Sequence, residues 1–584
     1  MHIKSIEIKN FRNFSDFKIN FTEGFQTIIG ENNIGKSNFY WGIRLVLDRN
    51  LSYNSRNLEE KEFHDFVDLE IDTYSSISIE LCGDNLASMP NLHALKNSDD
   101  TVRISYLYAH KSKLIETDEE FDKIEIKDFQ WRLYGGGNGF NSEEIDNLNQ
   151  VTFRDIEGIN LYYISGFRNI NSDLFGGSKS LLSEYCKSRT EADNELESVK
   201  TILTKTSDDL NKLEFISEIS ETVKNKNKEI AGSHFTFPVS LGFINDDDNE
   251  VWNQLKLFFN PKTGKNIPLN VLGLGQKNLL YLSLFLSRLI NEQNTNEVNI
   301  LLIEEPEAHL HPQLQKILFS NLSELLNTQV FMSSHSTHIA SDCNFKNLNI
   351  IYKNPDNIVK SFSPFIEKKE DKREQREELL LKRYLDATRS ELFFSTAVIF
   401  VEGVAEQFII PDIAQQLYGV NLTEHNISVV PIHSRYFDPF LKLFQPSKLE
   451  LTACAIIDGD SKEHEDDEST TAVANAKSFE VDDRVLVFEG TETLEVDLFP
   501  SSEINDKYLK MCFENLGHTK SYGNLIATND NWSDELLKRV DGTVKKGRFA
   551  QELAMNIDKD FIIPDYIKEA LEFVFKQNEI AFDI

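Results

Sequence analysis

Residues 25–47 read FQTIIGENNIGKSNFYWGIRLVL: an alternating strand pattern, a glycine-bounded loop and an apolar-periodic helix in direct succession. Gly30, Gly35, Lys36 and Ser37 complete the spacing G-x-x-x-x-G-K-[ST], in the strand–loop–helix context that a phosphate-binding P-loop requires. The residue types follow from the chemistry. Glycines let backbone N–H groups curl round phosphate oxygens, the helix N-terminus adds its dipole, Lys36 neutralises charge and Ser37 can hold Mg²⁺. Asn32 and Asn33 sit within the same loop.

Three further segments extend this reading. VNILLIEEPEAHLHP (298–312) is a hydrophobic strand ending in Glu304 and Glu305, the pattern in which a first acid supports Mg²⁺ and a second orients the attacking water. QVFMSSHS (329–336) is another apolar strand, ending near His335. VLGLGQ (271–276) places Gly273, Gly275 and Gln276 at the start of a helix, where bare backbone donors can receive a γ-phosphate.

With these four segments in this order, and the opening IEIKNFRNF (6–14), the chain resembles the ABC-type ATPase heads of SMC and RecF-like proteins. The resemblance implies a signature motif at Leu272–Gln276, with Gly273 where those families place Ser, and an H-loop at His335. It also implies ATP sandwiched between two heads, one giving the P-loop and the other the signature. Glu304 stands where the usual residue is Asp. Residues 175–235 read as polar amphipathic helices inserted into the head, with a narrow apolar stripe suited to packing on a second copy.

Length and composition bound the rest. At roughly 150 residues per domain, a chain of 584 residues is expected to hold three or four units. With 40% hydrophobic and 27% charged residues it should be globular throughout. No apolar run approaches the ~18 residues needed to span a bilayer, and the N-terminus lacks a signal-peptide core, so a soluble, cytoplasmic protein is expected. Cys82, Cys186, Cys343, Cys454 and Cys512 are scattered without a CxxC pair, which argues against disulfides and zinc. The net charge of −34 opposes nucleic-acid binding by a generally basic surface, yet a bound divalent metal inverts the local field where phosphate must approach.

Beyond a charged segment at 367–395, expected to be a connecting helix, buried strands return. STAVIFVEGVAEQF ends a strand in Glu402, with Glu406 in the first turn of the following helix; ACAIIDGD (453–460) ends in Asp458 and Asp460; DRVLVFEGTETLEVDLF is followed by Thr493, Glu495 and Asp497. Acids at three carboxyl ends of an open parallel sheet share one crevice. There they repel unless a cation compensates, and a hard ion such as Mg²⁺ or Mn²⁺ suits oxygen donors. Asp458 and Asp460, with Glu402, are the expected ligands.

EGxxE followed by DxD resembles a Toprim domain, and Toprim behind an ABC head resembles the OLD family of ATP-dependent nucleases, the layout shared by Gabija nuclease subunits and OLD-type retron effectors. The implied fold is α/β: an ABC-type P-loop head (1–174 and 236–366) with a helical, dimerising insertion (175–235), the connecting helix, and a Rossmann-like Toprim domain (396–584). The resemblance assigns Glu402, Glu406, Asp458, Asp460 and Glu495 as metal ligands or their supports. Through VKKGRFAQELA it assigns Lys546 as catalytic lysine, which spacing does not separate from Lys545. It implies an ATP-regulated DNA endonuclease or nickase in anti-phage defence, working as a homodimer or dimer of dimers. The implied companion is a helicase subunit, a retron reverse transcriptase with its RNA–DNA product, or none. The competing readings are an SMC/RecF-like repair ATPase without nuclease activity and a primase- or topoisomerase-like Toprim enzyme; the last lacks a segment for a tyrosine-bearing DNA gate.

Overall fold

The computed structural model describes residues 1–66, 68–83, 95–96, 101–114, 124–136, 149–166, 180–189, 271–292, 297–323, 328–343, 345–364, 389–459, 468–527 and 531–582, with short stretches inside 199–221, 258–268 and 372–385. Asp460, most of the 175–235 insertion and most of the 367–395 segment lie outside the described residues. The chain forms two compact units: residues 1–163, 298–307 and 312–584 make one, residues 164–297 and 308–311 the other.

The first unit opens with β1 (His2–Phe11), β2 (Phe14–Asn20) and β3 (Phe25–Ile29), then the loop and α1 (Lys36–Leu47). β4 (Tyr74–Cys82), β5 (Val102–His110), β6 (Phe129–Gly135), β7 (Asn149–Val151) and β8 (Ile159–Ile164) follow. In the second unit lie α2 (Leu181–Arg189), the short β9 (Phe258–Phe259) and β10 (Ile267–Pro268), and α3 (Leu274–Glu292). The first unit resumes with β11 (Val298–Glu304), α4 (Pro312–Ser323), β12 (Thr328–Ser334), α5 (Thr337–Asp342), β13 (Leu348–Lys353) and β14 (Val359–Phe362).

β1, β2 and β4 to β7 form an antiparallel sheet in the order β2-β1-β4-β5-β6-β7. Ile3, Ile6 and Ile8 are all buried although their spacing breaks strict alternation. A register shift between Ile3 and Ser5 resets the pleat, as a bulge does. The second sheet runs β14-β13-β3-β12-β11-β8. Its centre is parallel: β3 pairs with β12 and β13, and β12 with β11. These strands are buried on both faces, as in a parallel sheet, and β3 and β12 bury Gln26, Thr27, Thr328 and Gln329 along with their apolar residues. Their shared direction brings the P-loop, Glu304–Glu305 and His335 to the same carboxyl edge.

The C-terminal part consists of β15 (Ala397–Val401), α6 (Val404–Tyr418), β16 (Ile427–Pro431), β17 (Thr452–Ile457), α7 (Glu468–Lys477), β18 (Val485–Glu489) and α8 (Leu494–Leu498), then α9 (Asp506–Asn515), α10 (Thr519–Ile526), α11 (Trp532–Arg539), α12 (Lys546–Ala554) and α13 (Asp565–Gln577). The sheet order is β16-β15-β17-β18 and every neighbouring pair is parallel. Ile399, Val401, Ile409, Cys454, Ile456, Ile567 and Leu571 share its core. β16 is a fourth strand beside the three acid-bearing ones. The head sheet and this sheet touch directly: Asn426, just before β16, donates from Nδ2 to P-loop Glu31 Oε1 (2.9 Å), and Tyr352 Oη donates to Lys448 O (2.7 Å). No described helix is long and apolar enough to cross a membrane.

Candidate active site

In the head, Lys36 Nζ donates to the loop carbonyls of Gly30 (2.8 Å) and Glu31 (2.7 Å) and lies 3.2 Å from His335 Nδ1. Nε2 of the same His335 is 3.1 Å from Glu305 Oε1. Burial pulls the Lys36 ammonium down to about 8, although Glu305, Glu307 and Glu31 each act to raise it. The His335 hydrogen bond holds the Glu305 carboxyl below its ordinary range. Glu305 has a left-handed backbone, φ 43°, directly after β11. That turn presents its carboxylate to His335, while Glu304 stays buried at the strand end. Ser37, Asn32 and Asn33 are exposed on the loop and first helical turn.

Residues that the sequence pattern did not single out brace this loop. Asn13 Nδ2 donates to Ile34 O (2.7 Å), Asn13 Oδ1 accepts from Asn38 Nδ2 (2.7 Å), and Arg12 bridges Asn38 to Glu62. Gly35, at φ 108°, has to be glycine: a Cβ there would lie 2.2 Å from Asn13. The RN of IEIKNFRNF is thus a support for the P-loop. Glu307, buried and with its carboxyl raised by that burial, accepts from Ser334 Oγ (2.6 Å) and His335 N (3.1 Å) and fixes the His335 turn.

In the second unit, Gly273 precedes α3, with Gly275 and Gln276 in its first turn. Gly273 and Gln276 are exposed, and nothing lies within 4 Å of where a Gly273 Cβ would be. Gly275 is pressed against the 308–311 segment, its Cβ position 2.6 Å from His309 O.

At the C-terminal sheet, Glu402 follows β15 and its Oε1 accepts from Asp458 N at 3.0 Å. Glu406, in the first turn of α6, accepts from Gly403 N at 3.1 Å. Asp458 follows β17. Glu495, in the first turn of α8, accepts from Lys546 Nζ at 3.2 Å. These five side chains line one cavity of about 370 Å³, with His433, Ser434 and Arg435 from the end of β16. Gly459 lets the two strand ends meet: a Cβ there would stand 2.4 Å from Gly490 O. Asp497 caps the neighbouring turn, accepting from Thr491 N (2.9 Å) and Glu492 N (3.1 Å), and Thr493 is the N-cap of α8. Lys546 begins α12 inside the cavity, whereas Lys545 is exposed.

Burial pushes the Glu406 carboxyl up to about 7 and the Asp458 carboxyl up to about 8, each reinforced by the other acids. Burial alone would lower Lys546, but Glu495 and Asp541 outweigh it and raise the ammonium. A crowded, partly desolvated set of carboxylates fits a hard divalent ion in the chemistry of its donors. Among the described residues, no group of three His, Cys, Asp or Glu side chains is placed closely enough to hold a metal ion.

A stability prediction follows from these shifts. Raised above 3.8 and 4.5, the Asp458 and Glu406 groups hold protons in the folded state. Their stabilising contribution is complete below the unfolded values and is lost as pH rises through 7 and 8. Thermal melts without metal are therefore expected to fall between pH 6 and 9. Mg²⁺ should raise the midpoint more at pH 9 than at pH 6, and Asp458→Asn should flatten both trends. A Mg²⁺ effect that is equal at both pH values, or unchanged in the variant, contradicts the assignment.

Fold and sites together define a P-loop ATPase joined to a Toprim domain. The chain belongs to the AAA ATPase domain family, whose model matches residues 1–340, and residues 393–460 match the TOPRIM domain of overcoming lysogenization defect (OLD) protein-like proteins. It is 24% identical to Endonuclease GajA of Bacillus cereus (strain HuB5-5), over 99% of this chain and 100% of that one. It is 26% identical to the OLD nuclease of Thermus scotoductus (strain ATCC 700910 / SA-01), over 36% of this chain and 40% of that one. Among solved structures it is similar to the C-terminal region of the Burkholderia pseudomallei OLD protein (26% identity, 31% of this chain and 98% of that one, TM-score 0.27).

Proposed function

We propose that this protein is an ATP-regulated, divalent-metal-dependent DNA endonuclease or nickase acting in anti-phage defence, in the cytoplasm and as a homodimer or dimer of dimers. The observation that carries the reading is the cleft, where Glu402, Glu406, Asp458 and Glu495 meet Lys546 at the carboxyl edge of a parallel sheet. Alignment with a named endonuclease over the whole chain supports it.

Glu402, Asp458 and Glu495 would hold Mg²⁺ or Mn²⁺, joined by Glu406 and Asp460. When bound, such an ion supplies positive charge for phosphoryl oxygens and acidifies water. Lys546, released from Glu495, carries its charge to the leaving oxygen. Glu406, buried beneath and raised to about 7 in the ion-free protein, would give up its proton on ion binding and add its negative charge to the site. In the head, Lys36, Ser37 and Glu304 would hold ATP phosphates and the accompanying Mg²⁺, with Lys36 exchanging the Gly30 and Glu31 carbonyls for phosphate, and Glu305 with His335 would orient the attacking water. Gly273, Gly275 and Gln276, at the start of α3, would receive the γ-phosphate of ATP held by a second head. The Glu31–Asn426 hydrogen bond offers a route by which loop occupancy reaches β16 and the cleft. A helicase subunit or a retron reverse transcriptase with its RNA–DNA product is the companion class to test.

The experiment is plasmid cleavage by wild type and Glu305→Gln across millimolar ATP at fixed free Mg²⁺. Cutting is expected to vanish in EDTA and to fall as ATP rises, more steeply in Glu305→Gln, because nucleotide shifts the equilibrium by its differential affinity for two states. Identical cutting with and without ATP in both proteins rejects the regulation. No cutting under any condition favours a repair ATPase.

A further inference from the structure

β16 ends at Pro431, and Ile432 is still tied to the sheet through its N–H to Val401 O (2.9 Å). The chain then turns sharply. His433 holds a left-handed φ of 56°, and Ser434 Oγ accepts from Tyr436 N at 3.1 Å. Non-glycine residues held in that region cluster at functional sites. Here the turn delivers Arg435 to the acid cleft, its Nε 3.6 Å from Glu402 Oε2.

Two cations therefore share the cavity, Lys546 beside Glu495 and Arg435 beside Glu402. Lys546 is within hydrogen-bond distance of Glu495, at 3.2 Å. The Arg435–Glu402 pair is looser: 3.6 Å exceeds an ordinary hydrogen bond, and the Arg435 side chain is 39% exposed against 17% for Glu402. A pair this open adds little to stability. Its position carries more meaning than its strength, because Glu402 is a carboxylate that a divalent ion would claim.

We propose that Arg435 is a DNA-contacting residue: it is the counter-ion of Glu402 while no divalent ion is bound, and it turns its guanidinium to a backbone phosphate of DNA when an ion takes Glu402. The inference rests on the nuclease reading of the cleft. A guanidinium is suited to the task, since its planar fork grips phosphate oxygens in pairs and it stays charged at every relevant pH. In a chain of net charge −34, DNA has to be met by local cations of this kind. Among the described residues that line the cavity, Arg435 is the arginine or lysine at the end of β16.

The proposal makes two effects of opposite sign. Removing the charge should weaken DNA binding and strengthen binding of the ion with which Arg435 competes. Arg435→Gln is expected to bind a DNA duplex about five- to tenfold more weakly by fluorescence anisotropy in Ca²⁺ at about 0.1 M salt, with a salt slope lower by about 0.9. The same variant, free of DNA and nucleotide, should bind Mn²⁺ about threefold or more tightly by calorimetry. Arg435→Lys, which keeps a point charge, should retain the salt slope. In cleavage assays KM should rise while kcat stays within about threefold. Far-ultraviolet circular dichroism and melting check that both variants fold.

Wild-type DNA affinity and salt slope in Arg435→Gln overturn the proposal. So does a simultaneous loss of DNA and Mn²⁺ binding, which would make Arg435 a prop for the site. Neither binding arm depends on cutting, so a wild type that binds as expected yet cleaves nothing counts against the nuclease reading and leaves the Arg435 contact standing.

Discussion

Asp458→Ala is expected to lower DNA cleavage by about 10³-fold or more, the loss of roughly 4 kcal/mol from the several that an ion supplies to a phosphoryl transition state. Asp458 stands where β17 stops, its backbone N–H fixed by Glu402 Oε1 at 3.0 Å and its carboxylate in the cleft with Glu406 and Glu495. The neighbouring described acids stand elsewhere, Glu402 after β15 and Glu406 and Glu495 in the first turns of α6 and α8. The fold should survive: burial and the other acids hold the carboxyl up to about 8, so it is uncharged in the ion-free protein below that pH, and above it its removal relieves repulsion. The check pairs plasmid cleavage in Mn²⁺ with a melt in EDTA. Lost cutting with an equal or higher melting midpoint is the expected result; wild-type cutting removes Asp458 from the site.

Lys36→Ala is expected to weaken ATP binding by about 100-fold, as a charge-assisted contact to phosphate is lost together with its buried partners. Lys36 is buried, rests on the Gly30 and Glu31 carbonyls and lies against His335. Because burial sets its ammonium near 8, binding by wild type should also weaken as pH passes from 7 to 9. Glu305→Gln should behave differently: ATP affinity within about threefold of wild type, turnover lower by about 100-fold, since it removes the group proposed to orient water while leaving Lys36 and the loop in place. Equilibrium nucleotide binding and single-turnover hydrolysis separate the two. Equal ATP affinity in wild type and Lys36→Ala contradicts the P-loop assignment.

The strands that carry these residues were legible because each is an alternating or apolar run ended by an unmistakable group. β3 leads into glycine-bounded Lys36, β11 into Glu304–Glu305, and β15 and β17 into Glu402 and Asp458. What was not legible lies in contacts between distant segments. Asn13 looks like an ordinary polar residue between two phenylalanines, and only the fold brings it under Ile34 and Gly35. Glu307 reads as one more surface acid after a strand, yet it is buried and anchors the His335 turn. β16 is only Ile427–Pro431 and ends in no acid, so a search for carboxylates passes over His433 and Arg435. The Glu31–Asn426 contact joins residues nearly 400 positions apart, which no periodicity can express. Lys545 and Lys546 are equivalent as sequence; the left-handed φ of 78° at Lys545 separates them, starting α12 at Lys546 and turning that residue into the cleft.

The central claim is that DNA cleavage belongs to the carboxylates of the Toprim cleft and to the ion they hold. Its most direct test is to measure Mn²⁺ occupancy by electron paramagnetic resonance and plasmid cleavage on the same nucleotide-free samples, for wild type and Asp458→Ala, across a Mn²⁺ titration. Wild-type cutting should rise in step with occupancy and stop in EDTA, and the variant should lose both together. Cutting that persists at full rate while the variant's site stays empty would contradict the claim.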